Sequence, residues 1–224
     1  MYDYRIGVDE SGKGDFFGPL VIAACYVAPE HLAELEDVRE SKKITDSRAM
    51  QLSAKIRKTC PHSIIAIGPA KYNELWEQMR NLNKILAWGH ARAIENVLEI
   101  LLNREVSAGS PPKENKEIVV ISDQFADPQA VQKRLFELGR KVRLVSKVRA
   151  EEDIAVAAAS VLARAEFLRR LQNLSKEWGI EFPKGAGPQT ITVAKNFVAL
   201  HGIGQLKQVA KIHFKTMKQI ASYE

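Results

Sequence analysis

The stretch GVDESGKGD, residues Gly7 to Asp15, decides how the first part of this chain folds. Gly7, Gly12 and Lys13 fit a phosphate-binding P-loop of the form G-x-x-x-x-G-K-[ST], but Gly14 stands where that loop needs a hydroxyl. A P-loop also needs a helix directly after its lysine. Here the chain continues into the apolar segment PLVIAACYV, which is typical of a buried strand. The glycine-rich stretch is therefore interpreted as a turn between two strands.

Two acids inside the turn region also argue against a nucleotide cradle. Asp9 and Glu10 would repel a bound phosphate. A dinucleotide-binding fingerprint fails as well, because GKGDFFG has one residue too many before its third glycine and no helix follows. Both nucleotide-binding motifs are rejected.

The acids are better explained as ligands of a divalent metal. Adjacent carboxylates at the end of a buried strand are costly unless a cation compensates their charge. A further acid, Asp123, follows the apolar segment VVIS at the end of another strand. Three oxygen donors suit magnesium or manganese better than zinc. Two alternatives stay open at this point: Asp123 caps the next helix or turn, and Asp9 with Glu10 forms an ordinary polar turn.

The remaining pattern indicates an α/β domain. Two long helical patterns follow, one from about Leu82 to Arg104 and one in EDIAVAAASVLARAEFLRRL. Loops are predicted at Ser107–Glu117 and at Phe182–Thr190. Five strands are predicted at Arg5–Val8, PLVIAACYV, Ser63–Ala70, EIVVISD and KVRLVSK.

The C-terminal segment LKQVAKIHFKTMKQIASYE has a helical pattern with four lysines on one face. Two interpretations of this face stay open: it contacts a phosphate backbone, or it is an ordinary solvated face. The spacing of the lysines is consistent with both. The lysines are Lys207, Lys211, Lys215 and Lys218.

Composition limits the class of protein. The 224 residues are 46% hydrophobic and carry a net charge of +6, so we expect one compact domain whose basic surface favours nucleic acid. Two cysteines, Cys25 and Cys60, without a C-x-x-C pair argue against a disulfide framework or a thiolate zinc site, and favour the cytoplasm. The longest apolar run, Leu20 to Ala28, is too short to cross a membrane, so we expect a soluble protein.

Five blocks in order resemble the type 2 ribonucleases H. They are GVDESGKGDFFGPLVIAA, ESKKITDSR, NLNKILAWGHARAI, SDQF and AEEDIAVAAASVLAR, and the resemblance as a whole extends from Ile6 to about His201. Within this family, the ribonuclease HIII subgroup is matched best, by the motifs DESGKGDFFGP, NLN with AWGHA, and DQF.

The resemblance implies an α/β ribonuclease H-like fold with a five-stranded mixed sheet flanked by helices. It implies a catalytic domain at residues 1–175 and a helical C-terminal extension at 176–224 packed on the same domain. It also implies endonucleolytic cleavage of the RNA strand of RNA/DNA hybrids by a monomer, without a membrane partner. Two Mg²⁺ or Mn²⁺ ions would support this cleavage and leave 5′-phosphate and 3′-hydroxyl ends. The alternatives are cleavage at single ribonucleotides in DNA, as in ribonuclease HII, and a noncatalytic hybrid-binding module on the same fold.

Site residues follow from the same resemblance. Asp9, Glu10 and Asp123 match three of the four metal-binding acids of the family. Glu151 is chosen as the fourth, because the subgroup has a glutamate after alanine there, and Asp153 is the reserve. The resemblance implies that Ser11, Gly12, Lys13 and Gly14 contact the ribose 2′-hydroxyl, with the alternative that Lys13 only balances the charge of nearby acids. The candidates for phosphate contacts are Lys42, Lys43 and Lys184, and the alternative for each is an ordinary surface lysine.

Two departures from the family pattern affect specificity. Ribonuclease HIII proteins usually carry an N-terminal domain resembling the TATA-box-binding protein, and because the catalytic strand starts at about Arg5 we expect this sequence to lack that domain. Ribonuclease HII enzymes have a tyrosine in a KGYGT-like loop, whereas the loop here reads KGAGP with Ala186 in that place. From Ala186 we expect a preference for several consecutive ribonucleotides over one embedded in DNA, whereas absence of the N-terminal domain would favour a broader specificity.

Overall fold

A computed structural model describes residues 3–39, 44–107, 117–123, 131, 133–147 and 149–221. These residues form two compact units. The first lies within residues 1–10, 22–65 and 83–165, and the second within residues 11–21, 66–82 and 166–224. The predicted boundary near residue 175 stays a prediction.

A five-stranded sheet carries the acidic residues. Its strands are β1 (Tyr4–Ser11), β2 (Leu20–Val27), β3 (His62–Ile67), β4 (Ile118–Asp123) and β5 (Arg143–Lys147). The strand order is β3-β2-β1-β4-β5, and β4 runs parallel to both β1 and β5. This mixed sheet confirms the predicted fold class and all five predicted strands.

Helices account for most of the remaining described chain. The α-helices are α1 (Glu36–Arg39), α2 (Asp46–Thr59), α3 (Pro69–Met79), α4 (Leu82–Ser107), α5 (Ile154–Trp178), α6 (Pro188–His201), α7 (Leu206–Val209) and α8 (Thr216–Ala221). Short 3₁₀ turns lie at Pro29–His31, Ala33–Leu35, Gly139–Lys141, Ala150–Glu152 and Ile203–Gln205. None of the described helices is long and apolar enough to cross a membrane.

Two proline-led helices begin where the sequence pattern predicted other structure. The third strand signal extended to Ala70, but α3 begins at Pro69 because proline suits the first turn of a helix, where its missing N–H is not needed. The predicted loop Phe182–Thr190 ends for the same reason when α6 begins at Pro188. The other predicted loop, Ser107–Glu117, falls mainly on residues 108–116, which lie outside the described chain.

Close packing of α5 against β1 explains the alanine-rich helix. Residues Ile154 to Ala159 are all buried, and a side chain at Gly7 would collide with the backbone of Ala155 and Val156. Glycine at position 7 therefore allows the first turns of α5 to approach the strand that carries Asp9 and Glu10.

The prediction of one continuous basic helix at the C-terminus is wrong. The segment forms α7 and α8 with a non-helical stretch between them, and Lys211 in that stretch is fully buried. The Asn73 side chain of α3 donates to the carbonyl of Ala210 at 2.9 Å and accepts from the N–H of Ile212 at 3.1 Å. These contacts hold the backbone in a shape that the lysine periodicity does not indicate.

Candidate active site

The register between β1 and β4 brings two of the predicted acids to one edge of the sheet. Val8 pairs with Ser122, and Asp9 and Asp123 are the next residues along these parallel strands. Their backbones are therefore neighbours, about 5 Å apart by the usual strand spacing. The side chain of Asp123 lies outside the described part of the structure.

The Asp9 carboxylate lies in a largely desolvated place beside a second acid. Burial raises its pKa to about 6, and the charge of Glu10 adds to the increase. The Ser160 hydroxyl of α5 and the N–H of Glu10 donate to this carboxylate, with the N–H at 2.8 Å, and these bonds lower the pKa in part. The net effect is a carboxylate that is costly to ionise without a nearby cation.

Glu10 contacts a histidine from α4. The distance between His90 Nε2 and Glu10 Oε2 is 3.1 Å, and the two side chains are 1% and 3% exposed. His90 therefore lies against one oxygen of the Glu10 carboxylate.

The turn before α5 separates the two candidates for the fourth acid. Asp153 forms an ion pair with Arg5 of β1 at 3.1 Å and also accepts from the N–H of Ala155 at 3.0 Å. Glu151, in the 3₁₀ turn Ala150–Glu152, is exposed. The Asp153 carboxylate is therefore already bound by Arg5 and by the N–H of Ala155, whereas the Glu151 side chain faces solvent.

In the second unit, the glycine-rich turn is fixed by the loop before α6. Gly12 has φ +90°, and a side chain there would collide with the carbonyl of Pro19. Asp15 accepts from the N–H of Gly185 at 2.6 Å, while the N–H of Phe16 donates to the carbonyl of Gly185 at 2.9 Å. The two glycine-rich segments DESGKGD and KGAGP thus support each other.

Buried Lys211 fixes the residues that follow the turn. Its Nζ donates to the carbonyl of Gly18 at 2.6 Å and lies 3.5 Å from those of Phe17 and Pro19. Burial lowers the pKa of Lys211 to about 7, although the charge of Asp15 opposes the change. Lys211 is therefore a structural anchor of the turn and not part of a basic surface stripe.

The predicted substrate-binding residues differ in what the structure describes. Lys13 and Gly14 are exposed, Ser11 is partly buried and Gly12 is buried. Lys184 is exposed as well, next to Gly185. Lys42 and Lys43 lie outside the described residues.

The donor set fits a hard divalent cation. Carboxylate oxygens are the ligands that Mg²⁺ and Mn²⁺ prefer, and the pKa of Asp9 is raised first by burial and then by the charge of Glu10, both of which such an ion would offset. Within the described side chains, no group of three or more acids, histidines or cysteines could hold a metal ion, and Glu151 does not complete one with Asp9 and Glu10. The side chain of Asp123 is not among those searched.

Sequence reasoning missed the groups that support the acids. Ser160 and Arg5 are ordinary residues of a helix and a strand, so no spacing signal marks them. His90 lies within the AWGHA block, but its isolated position gave no metal-ligand pattern. Only the packing of α4 and α5 brings these side chains to their partners.

A family model for ribonuclease HII matches residues 6–217. This chain belongs to the type 2 ribonuclease H family. Similar type 2 ribonucleases H include the ribonuclease HIII of Protochlamydia amoebophila, which is 42% identical over 96% of this chain and 68% of its own length. The ribonuclease HIII of Chlamydia pneumoniae is 40% identical over 97% of this chain and 70% of its own length. The resemblance stated from the sequence is confirmed, and the chain is a type 2 ribonuclease H endonuclease.

Solved structures agree with the family. Bst-RNase HIII in complex with Mn²⁺ has a TM-score of 0.85 and 29% identity, over 98% of this chain and 70% of that one. The ribonuclease H2 of Pyrococcus horikoshii has a TM-score of 0.76 at 20% identity over 98% of both chains, which supports the fold. The type 2 ribonuclease H fold thus extends over nearly the whole chain.

Proposed function

We propose that this endonuclease hydrolyses the RNA strand of RNA/DNA hybrids with two divalent ions, leaving 5′-phosphate and 3′-hydroxyl ends. The observation that carries the proposal is the register of the parallel strands β1 and β4. Val8 pairs with Ser122, so the next residues, Asp9 and Asp123, lie at the same edge of the sheet. Relatives at 38 to 42% identity named ribonuclease HIII, and a related structure named as a Mn²⁺ complex, support the substrate and the ion.

In this proposal, Asp9, Glu10, Asp123 and Glu151 hold the ions. When bound, the ions would activate a water and stabilise the departing 3′ oxygen. The chain's own groups orient the acids: the Ser160 hydroxyl and the Glu10 N–H fix the Asp9 carboxylate. The ion pair of Asp153 with Arg5 favours Glu151 as the fourth ligand, because it occupies the competing acid.

The substrate contacts in this proposal come from the glycine-rich turn and from three lysines. Ser11, Gly12, Lys13 and Gly14 contact the ribose 2′-hydroxyl, the group that distinguishes RNA from DNA. A side chain at Gly14 would meet no described atom within 4 Å, so the backbone there is open to a ligand. Exposed Lys184, together with Lys42 and Lys43, provides the phosphate contacts.

The experiment uses labelled RNA/DNA hybrid with Mg²⁺ or Mn²⁺. The wild type should cleave the RNA strand, and Asp9→Asn or Asp123→Asn should abolish cleavage because the amide removes a charged ligand. Asp37→Asn, an exposed acid on α1, is the matched control and should cleave normally. Undiminished cleavage by the Asp9 and Asp123 variants would refute the mechanism, and hybrid binding without metal-dependent turnover would favour a binding module.

A second measurement concerns substrate length. Ala186 stands in the KGAGP loop, where a tyrosine would stack at an RNA-to-DNA junction in ribonuclease HII. We expect faster cleavage of hybrids with several consecutive ribonucleotides than of DNA with a single one. Equal rates on both substrates at matched enzyme concentration would contradict this preference.

A further inference from the structure

Histidine 90 is a buried polar group with a defined acceptor at the acid site. Its Nε2 lies 3.1 Å from Glu10 Oε2, and the residue is fully shielded from solvent. An ionised carboxylate can only accept a hydrogen bond, so this contact is favourable with an ionised Glu10 when the imidazole carries a proton on Nε2. A buried carboxylate gains much from such a donor, because water cannot replace it.

The helix that carries His90 is held at a fixed distance from the sheet. Gly89, the preceding residue, lets α4 approach β2, since a side chain there would collide with Ile22. Farther along α4, Glu95 accepts from the N–H groups of Leu138 and Gly139, both at 2.8 Å. A donor on a rigid, anchored helix can fix the orientation of a carboxylate more narrowly than a donor on a loop.

Burial also limits what His90 can do. A side chain 1% exposed does not reach bulk water or a bound nucleic acid, so a role as general acid or base toward substrate is excluded. Its contact is with one oxygen of one proposed metal ligand, Glu10. Partners that donate to ligating carboxylates fix ligand orientation, and their loss weakens metal binding.

We propose that His90 is a positioning residue, whose Nε2–H fixes the Glu10 carboxylate in the orientation that binds the divalent ion. This inference rests on the proposed function, because it assigns Glu10 to the metal. It requires a hydrogen-bond donor at this position and not a titratable group. Glutamine at position 90 therefore satisfies the role, and leucine does not.

The test compares His90→Gln, His90→Leu and a matched control, Asn96→Leu, in the full chain. Asn96 lies on the same helix and donates to Ser63 Oγ at 3.1 Å, so its loss removes a side-chain hydrogen bond away from the acids. Mn²⁺ affinity is measured on the metal-free protein by electron paramagnetic resonance of free Mn²⁺, without substrate. Hybrid cleavage then gives kcat and KM, and thermal unfolding reports the fold.

We expect His90→Leu to weaken Mn²⁺ binding about 10- to 100-fold and to lower kcat by a similar factor, with little change in KM for hybrid. His90→Gln should stay within about threefold of wild type in both, and Asn96→Leu should bind Mn²⁺ normally. If the leucine variant does not fold, the glutamine variant and a nitrogen-15 NMR spectrum of the wild type decide, because that spectrum must place a proton on His90 Nε2.

Several results would overturn the inference: wild-type Mn²⁺ affinity and kcat in folded His90→Leu, equal losses in the glutamine and leucine variants, an equal loss in Asn96→Leu, or an unprotonated His90 Nε2. The proposed function is separable from it. If the wild type neither binds Mn²⁺ nor cleaves hybrid, both proposals fail. If the wild type does both, Asp9→Asn abolishes cleavage and His90→Leu behaves normally, only the positioning role fails.

Discussion

Replacing Asp9 with asparagine should make the metal-free protein more stable while it abolishes cleavage. The carboxylate is desolvated and faces the charge of Glu10, and both effects oppose its ionisation in the folded state. Asparagine keeps an oxygen that can accept from Ser160 and from the Glu10 N–H, but it carries no charge. The variant therefore relieves the repulsion without removing the hydrogen bonds.

The magnitude follows from the pKa of Asp9. Its increase from 3.8 to about 6 corresponds to an upper estimate of about 3 kcal/mol at pH 8, where Asp9 is ionised in both folded and unfolded chains. The folded state binds protons more tightly than the unfolded state, so this penalty declines as pH falls through 6. It should be about 1.6 kcal/mol at pH 5 and about 0.5 kcal/mol at pH 4.

The assay is denaturant unfolding of wild type and Asp9→Asn in EDTA across this pH range. We expect the variant to have the higher free energy of unfolding at pH 8 and the two proteins to converge near pH 4. Excess Mn²⁺ should stabilise the wild type more than the variant, because only the wild type keeps the full ligand charge. Asp37→Asn, at an exposed position, should change stability by no more than about 0.5 kcal/mol.

A clear outcome would refute the reasoning. If Asp9→Asn is less stable than wild type at pH 8 without metal, or if their difference does not change between pH 8 and pH 4, then Asp9 is not held in a repulsive, desolvated state. Stabilisation of both proteins to the same extent by Mn²⁺ would argue separately against Asp9 as a ligand.

Two further predictions concern groups that support the acid site and the glycine-rich turn. Burial lowers the pKa of Lys211 from 10.5 to about 7, so a charged Lys211 destabilises the folded protein. This destabilisation is complete below pH 7 and declines as the pH rises toward 10.5. The free energy of unfolding of wild type should therefore rise by about 3 kcal/mol between pH 6 and pH 9 relative to Lys211→Met. Parallel pH profiles from denaturant unfolding would contradict that prediction. Asp153→Asn should destabilise the protein by about 3 kcal/mol, because Arg5 would keep an uncompensated buried charge. The double variant Arg5→Met/Asp153→Asn should recover part of the loss in the same assay, and additive losses would show that the pair is not coupled.

Much of the fold and part of the site could be predicted from local pattern. All five strands were predicted from their apolar and β-branched residues, most clearly β2, which is buried on both faces and therefore has a continuous hydrophobic sequence. The alanine-rich block predicted α5, and the absence of a side chain at Gly7 allows its close approach to β1. The basic C-terminal helix was wrong because helical spacing records only local periodicity, whereas Lys211 is drawn inward by the carbonyls of Gly18 and its neighbours.

The sequence by itself determined the acids and the chemistry they suit, because residue type and position after a strand depend only on the order of the chain. It also determined the family, through five ordered blocks. The tertiary structure decided which groups surround those acids: the donors from His90 and Ser160 and the partner of Asp153 come from segments distant along the chain. Such contacts depend on how helices pack on the sheet, and no local spacing records that packing.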